Sequence, residues 1–224
     1  MRVLKLHRWD VNEKEAIEIQ EKLKERLILK PYEGKIEKIG GVDCSYKNDK
    51  IYVGFVVCKF PSFEIINQYY LIRKVNFPYI PGLFAFREAP AIVELFEKVK
   101  EEPDLIIING HGIAHPRKVG IASHIGILVE KPTIGCAEKI LYGSYSEPPS
   151  FSLSSTFIKD KEGEIIGHAV RNFQGKIIFA SPGNLIDLRQ TLSITLQSLK
   201  ENFSLPVPLS LAHRFSRELL RNSC

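Results

Sequence analysis

The sequence predicts an α/β fold on a mixed central sheet: three antiparallel strands, then a β-α-β-α-β run, with helices on its flanks. Two observations carry that expectation. Segments 36–46, 51–60 and 64–75 are β-rich and separated by the polar turn Lys47-Asn48-Asp49-Lys50 and the break Pro61-Ser62, the pattern of an antiparallel meander. Beyond them a short unbroken apolar run, Leu105 to Ile108, follows Pro103-Asp104, which suits a strand buried on both faces.

In chain order, Asn12 to Leu29 reads as an amphipathic helix: Asn12 caps it, Glu15 stands three residues on, and Ile19, Leu23 and Leu27 recur on one face. Lys30-Pro31 ends it. Strand 36–46 carries Gly40-Gly41 and the string VDCSY. Val42 and Cys44 point to one face and Asp43 to the other, so a carboxylate stands in mid-strand, explained either by a solvated outer face or by a site. After the meander, Pro90 is expected in the first turn of a helix running toward Lys100, where its missing N–H costs nothing. That puts Glu88 at or just before the helix start, as a dipole partner, a cap or a chemical group. Segment 121–130 reads as a second helix and Thr133 to Cys136 as a strand.

Glu164 to Arg171 and Lys176 to Ala180 flank Asn172-Phe173-Gln174-Gly175 as a hairpin. Ser181-Pro182-Gly183-Asn184 then leads into a helix whose core stripe is Leu188, Leu192, Leu196 and Leu199. From Ser210 a short last helix turns Leu211, Phe215 and Leu219 inward and sets Arg214, Arg217 and Arg221 on a basic rim or a solvated face. Three antiparallel strands followed by alternating helices and strands is the order of a ribonuclease H-like fold, in which strands 36–46 and 105–108 lie side by side. Asp43 and Asn109 then converge, with Glu88 and His115 close by, an oxygen and imidazole set suited to divalent metals.

With 224 residues, 44% of them hydrophobic, and no break in composition, the chain is expected to form one domain over 1–224. A net charge of +5, from 31 Lys plus Arg against 26 Asp plus Glu, permits a polyanionic partner without requiring one. The cysteines Cys44, Cys58, Cys136 and Cys224 form no C-x-x-C pair and follow no secretory leader pattern, so reduced thiols and a cytoplasmic location are expected. No apolar run reaches bilayer length, which excludes an integral membrane role.

The unusual chemistry gathers between Asp104 and Glu138. Asn109, Gly110, His111, Gly112, His115, Arg117 and Lys118 follow the apolar strand, and three of the six histidines lie between 111 and 124. Glycine lets backbone approach a ligand and histidine supplies a ligand or proton carrier, so this is either a phosphate- or metal-handling loop or a His-rich polar loop. Gly110-x-Gly112 lacks the third glycine of a dinucleotide loop. A zinc site from His111, His115, His124 and Cys136 has no short-spaced ligand pair behind it. Arg117 and Lys118, between His115 and Gly120, are expected to touch phosphates.

The strings VDCSY at 42–46, PYIPGLFAFREAP at 78–90, GHGIAHPRKVGIASHIG at 110–126, PTIGCA at 132–137 and SPGN at 181–184 together resemble the endonuclease V family over most of the chain. The resemblance implies a ribonuclease H-like, Mg²⁺-dependent nuclease, with Mn²⁺ able to substitute, acting in DNA repair. It recognises deoxyinosine in double- or single-stranded DNA and nicks the second phosphodiester bond 3′ to it, as a monomer and without a membrane. By position, the resemblance makes Asp43 and Glu88 metal ligands and sets His115 beside the metal. Asn109 stands where the family has a ligand Asp, and Lys139 follows Glu138 where the family has Lys. It makes Tyr79, next to Pro81, the wedge that enters the duplex as the base leaves it. Gly82, Gly110, Gly120, Ile121 and Gly135 take the pocket positions, where main-chain groups are expected to meet hypoxanthine. Two alternatives stay open: an inosine-specific endoribonuclease, because the fold accommodates either strand chemistry, and a lesion-binding protein that does not cut, because a neutral amide at 109 weakens a magnesium site.

Overall fold

The computed structural model describes residues 1–222, so Cys224 lies outside the described residues. Helix α1 spans Glu13–Lys24. Strands β1 (Lys38–Lys47), β2 (Lys50–Lys59) and β3 (Ile65–Lys74) form the meander, and α2 (Phe84–Phe96), β4 (Leu105–Asn109), α3 (Ile121–Val129) and β5 (Thr133–Ala137) follow. The chain then adds β6 (Ser144–Tyr145), β7 (Ser155–Lys159), β8 (Ile165–Arg171), β9 (Ile177–Asn184), α4 (Leu188–Ser198) and α5 (Val207–Asn222). Among the described residues one nine-stranded sheet runs β3-β2-β1-β4-β5-β9-β8-β7-β6. The β1–β4 and β4–β5 pairs are parallel and the β1–β2, β2–β3 and β5–β9 pairs antiparallel, the mixed sheet of a ribonuclease H-like fold.

The layers follow from the alternation of side chains along buried strands. One face, with Val42, Val53, Phe55, Ile106 and Ile108, packs against Ile92, Phe96, Ile121 and Ile125 of α2 and α3. The other, with Ile39, Val56, Leu105, Ile107 and Ile134, packs against Ile194 of α4 and Leu209 and Ala212 of α5. Gly41 and Gly54 bring α5 close: a Cβ at Gly41 would meet the Pro208 carbonyl oxygen at 2.1 Å, and one at Gly54 the Ala212 oxygen at 2.8 Å. Any side chain at either position would lift the helix off the sheet.

Several elements differ from expectation for physical reasons. Helix α1 ends at Lys24 rather than Leu29, because the chain turns away so that Ile28 N–H bonds the Asn184 side chain and Ile28 C=O accepts from Leu185. Helix α2 starts at Phe84, so Pro90 lies inside it and Glu88 is a buried mid-helix residue. The Ala85, Phe86, Ala89, Ile92 and Val93 face, buried along the core, outweighs the backbone bond that Pro90 forgoes. The SPGN string is strand, the end of β9, and leads through Leu185-Ile186 into α4, which Asp187 caps. Of the expected leucine stripe of α4, Leu199 is in the core and Leu192 and Leu196 are half-buried against it, while Leu188 is half-buried; Thr191, Ile194, Thr195 and Ser198 complete the buried face. Helix α5 begins at Val207 and buries Leu209, Ala212 and Ser216, its backbone lying against Gly41 and Gly54; Leu211 and Phe215 are half-buried against the same core, and Leu219 is half-buried. Strands β6 and β7 had no sequence expectation. Cys44, Cys58 and Cys136 are free thiols, and among the described residues no helix is long and apolar enough to cross a membrane.

Candidate active site

Parallel pairing of β1 with β4 sets Val42 beside Ile108, so the next residues, Asp43 and Asn109, meet at the carboxyl end of β4. The Asn109 Nδ2 donates to Asp43 Oδ1 at 2.6 Å. Asp43 points to the α5 face, and its other oxygen accepts from His213 Nδ1 at 2.6 Å. This is the functional residue that sequence reasoning missed. His213 is half-exposed, and the hydrogen bond to Asp43 is the main reason its pKa is raised, favouring the imidazolium.

Glu88 approaches from α2. Asp43 and Glu88 are each 4% exposed. Burial above all pushes the Glu88 carboxyl up to about 8, and the charge on Asp43 adds to it; the Tyr46 hydroxyl, which donates to Oε1 at 2.7 Å, pulls the other way. Among the described residues no three of His, Cys, Asp and Glu are grouped to hold a metal. Two buried carboxylates with mutually unfavourable charge, plus one amide oxygen, nevertheless suit Mg²⁺, which takes one or two carboxylates and keeps several waters. The Asn109 amide must then turn its oxygen, not its N–H, toward the cation.

A cleft of about 760 Å³ opens over this centre, lined by Asn109 and His213, with Tyr79, Pro81, Gly82, Gly110, Gly120, Ile121 and Lys139 among its other walls. Asp43 therefore lies one hydrogen bond behind two lining residues. Tyr79 is 68% exposed at the rim, its ring edge-on to Phe84, so it has no packing role that would bury it. Gly110, at φ +137°, passes so close to α3 that a Cβ would lie 2.5 Å from the Ile121 side chain.

The remaining expected residues act as struts. His115 is buried: Nε2 donates to the Gly82 carbonyl at 2.9 Å, and Nδ1 accepts from Arg117 N–H at 3.2 Å. Both ring nitrogens are engaged and burial pushes its pKa down to about 4, so His115 stands as a neutral imidazole on the wall of the same cleft. The same Gly82 carbonyl accepts from Gln20 Nε2 at 3.0 Å and Arg117 Nη2 at 2.8 Å. Arg117 also donates to the Gln20 side chain, and Lys118 pairs with Glu164 and Asp160, so a phosphate at this loop would compete with these partners. Gly135 lies beneath loop 110–112 rather than on the cleft; a Cβ there would strike Gly112 N at 2.4 Å. The main-chain groups expected to read a base are partly committed too: Gly110 N–H donates to Cys136 C=O and Gly120 N–H to Gly112 C=O. His124 Nε2 meets His7 Nε2 at 2.7 Å, and the zinc set that the sequence only weakly offered is not gathered among the described residues.

Against known proteins, the family model described as Endonuclease V matches residues 21–214. A curated Endonuclease V from Thermosipho melanesiensis is 43% identical over 220 residues, 98% of this chain and 96% of that protein. The crystal structure of the Bacillus subtilis Endonuclease V superposes with a TM-score of 0.93 at 30% identity, covering 99% of this chain and 98% of that one. A Ciona intestinalis Endonuclease V in complex with a 24-mer DNA containing an inosine followed by a ribo-adenosine shares the fold, with a TM-score of 0.83 at 24% identity over 93% of this chain and 98% of that one. On the family match and the Thermosipho relative, this chain belongs to the Endonuclease V family, nucleases that hydrolyse phosphodiester bonds.

Proposed function

We propose that the chain is a Mg²⁺-dependent endonuclease that takes deoxyinosine out of a DNA strand and nicks the second phosphodiester bond on its 3′ side. One observation carries the reading: a single cleft is lined both by Asn109 and His213, which hydrogen-bond the buried Asp43, and by the N-terminus of α3 at Gly120-Ile121, where no side chain caps the helix. The first N–H groups of a helix have no partner within it; Gly120 and Ala122 N–H are taken by the Gly112 and His111 carbonyls, which leaves the Ile121 N–H as the donor at this end. The O6 of hypoxanthine is an acceptor, whereas adenine presents an amino group there. Extrusion is also easiest for a weakly paired base.

Asp43, Glu88 and the Asn109 side-chain oxygen would hold Mg²⁺, or Mn²⁺ on the same donors, which would supply Lewis-acid stabilisation of charge on the scissile phosphate. Asp43 holds His213 in place through its second oxygen, so the exposed edge of the imidazolium faces the cleft as a proton source or phosphate contact. Gly82, held by three donors, fixes the turn that carries Tyr79. Lys139 extends from the opposite wall, where its carbonyl accepts from His111. A second reading, lesion binding without cutting, is favoured by the Asn109 N–H directed at Asp43.

A labelled duplex with one deoxyinosine tests the proposal. In Mg²⁺ the inosine strand is cut at the second 3′ bond while the matched adenine duplex stays whole; equal cutting of both would sink it. Deoxyribose and ribose versions of the same strand separate DNA from RNA preference. Tyr79→Ala is expected to weaken lesion binding by about 1 to 3 kcal/mol, the stacking lost at one base step. Unchanged selectivity in that variant would remove Tyr79 from the duplex.

A further inference from the structure

The cleft does not end at the cutting centre. Beyond His213 it continues between the β8–β9 turn and the α4–α5 connection, where Gln174, Lys176, Asn202, Phe203 and Arg214 line it. We propose that this arm is a sequence-independent subsite for the nucleotides 3′ of the scissile bond, stacking a base at Phe203 and holding phosphates with Lys176 and Arg214. The assignment rests on the function proposed above, because that reading fixes direction. With the base at Gly110-Ile121 and the cut two phosphates 3′ of it, near Asn109 and His213, a strand that continues the same way enters this arm.

Three observations support a built site. Arg214 directly follows His213 on α5, and its guanidinium lies 4.8 Å from the Phe203 ring centroid, so an aromatic and cationic platform begins one residue from the cutting centre. Asn172 Nδ2 donates to Ser204 C=O at 2.7 Å, which ties the turn bearing Gln174 and Lys176 to the connection bearing Asn202 and Phe203. Neither Lys176 nor Arg214 has a carboxylate partner among the described residues, in contrast to Lys118, which has two. Basic charge left unpaired beside an aromatic face is the composition of single-strand binding grooves, where stacking tolerates any base and cations follow the backbone.

The experiment uses two single-stranded inosine oligonucleotides with a common 5′ part, one ending just 3′ of the scissile bond and one about six nucleotides longer. Affinity is measured in Ca²⁺ at several salt concentrations. The parent is expected to bind the long strand roughly tenfold tighter, within the range that stacking one base on an aromatic face supplies. Phe203→Leu, which keeps an apolar side chain against the core, is expected to remove most of that ratio. Lys176→Gln, on the exposed turn, should reduce the salt slope by about 0.7 on the long strand only. A parent ratio near one, or variants that weaken both strands alike, overturns the subsite. Preference for inosine over adenine on the short strand tests the underlying function separately, since none of these residues reaches beyond the cut.

Discussion

Asn109→Asp is expected to raise Mg²⁺-dependent nicking of an inosine duplex by about 10²- to 10³-fold, the usual worth of one preorganised electrostatic element in an active site. Affinity for the lesion, measured in Ca²⁺, should stay nearly constant. Asn109 now spends its N–H on Asp43 Oδ1, whereas a carboxylate there adds charge where the cation must sit. The base-facing elements, Gly120 and Ile121 on α3, are untouched by the change. Without metal, the same substitution sets a third carboxylate against Asp43 and Glu88, so the melting temperature should fall and then recover when Mg²⁺ is added. If cleavage stays unchanged while Asp43→Ala abolishes it, position 109 is no ligand and the second, non-cutting reading loses its only support.

Glu88 should make the metal-free protein lose stability as pH rises. Its folded pKa is pushed to about 8 by burial, above the ordinary value of 4.5, so between those values the folded state keeps a proton that the unfolded state has lost. The slope ∂ΔG/∂pH is therefore negative through that window, at most about 1.4 kcal/mol per pH unit, and the contribution is fully present below pH 4.5 and gone above pH 8. Glu88→Gln should flatten the dependence and stabilise the metal-free protein near pH 8, while abolishing cleavage at every pH. Saturating Mg²⁺ should flatten it in the parent as well, because a cation replaces the proton. Chemical denaturation from pH 5 to 8.5, with and without Mg²⁺, reads all three, and a parallel loss of stability in Glu88→Gln would place the titrating group elsewhere.

The sheet was legible because its signals are local. Alternation in β1 exposed Asp43 as a carboxylate out of place, and the unbroken run before Asn109 marked a strand buried on both faces, so their convergence followed from strand order alone. Histidine density misled in part: His111, His115 and His124 mark the right region, yet each spends ring nitrogens on carbonyls or another ring, and the histidine bound to Asp43 lies 170 residues away from it. Leucine periodicity in α5 marked the flank of the buried face, where Leu211 and Phe215 pack on the core only in part. The helix is seated by two glycines in strands far upstream. The one available signal was the Gly40-Gly41 pair itself, which in a central strand announces that another backbone comes close.

That seating gives the enzyme a built-in order of assembly. The acid pair and the glycine-lined wall come from β1, α2, β4 and α3, all made early on the ribosome, but the helix that carries His213 and Arg214 is translated after every strand of the sheet. Until α5 settles on Gly41 and Gly54, Asp43 lacks its histidine and the cleft lacks a wall. A chain that ends before residue 207 lacks both His213 and the helix that covers the Gly41 and Gly54 face of the sheet, so the wall of the cleft and the core beneath it are completed together.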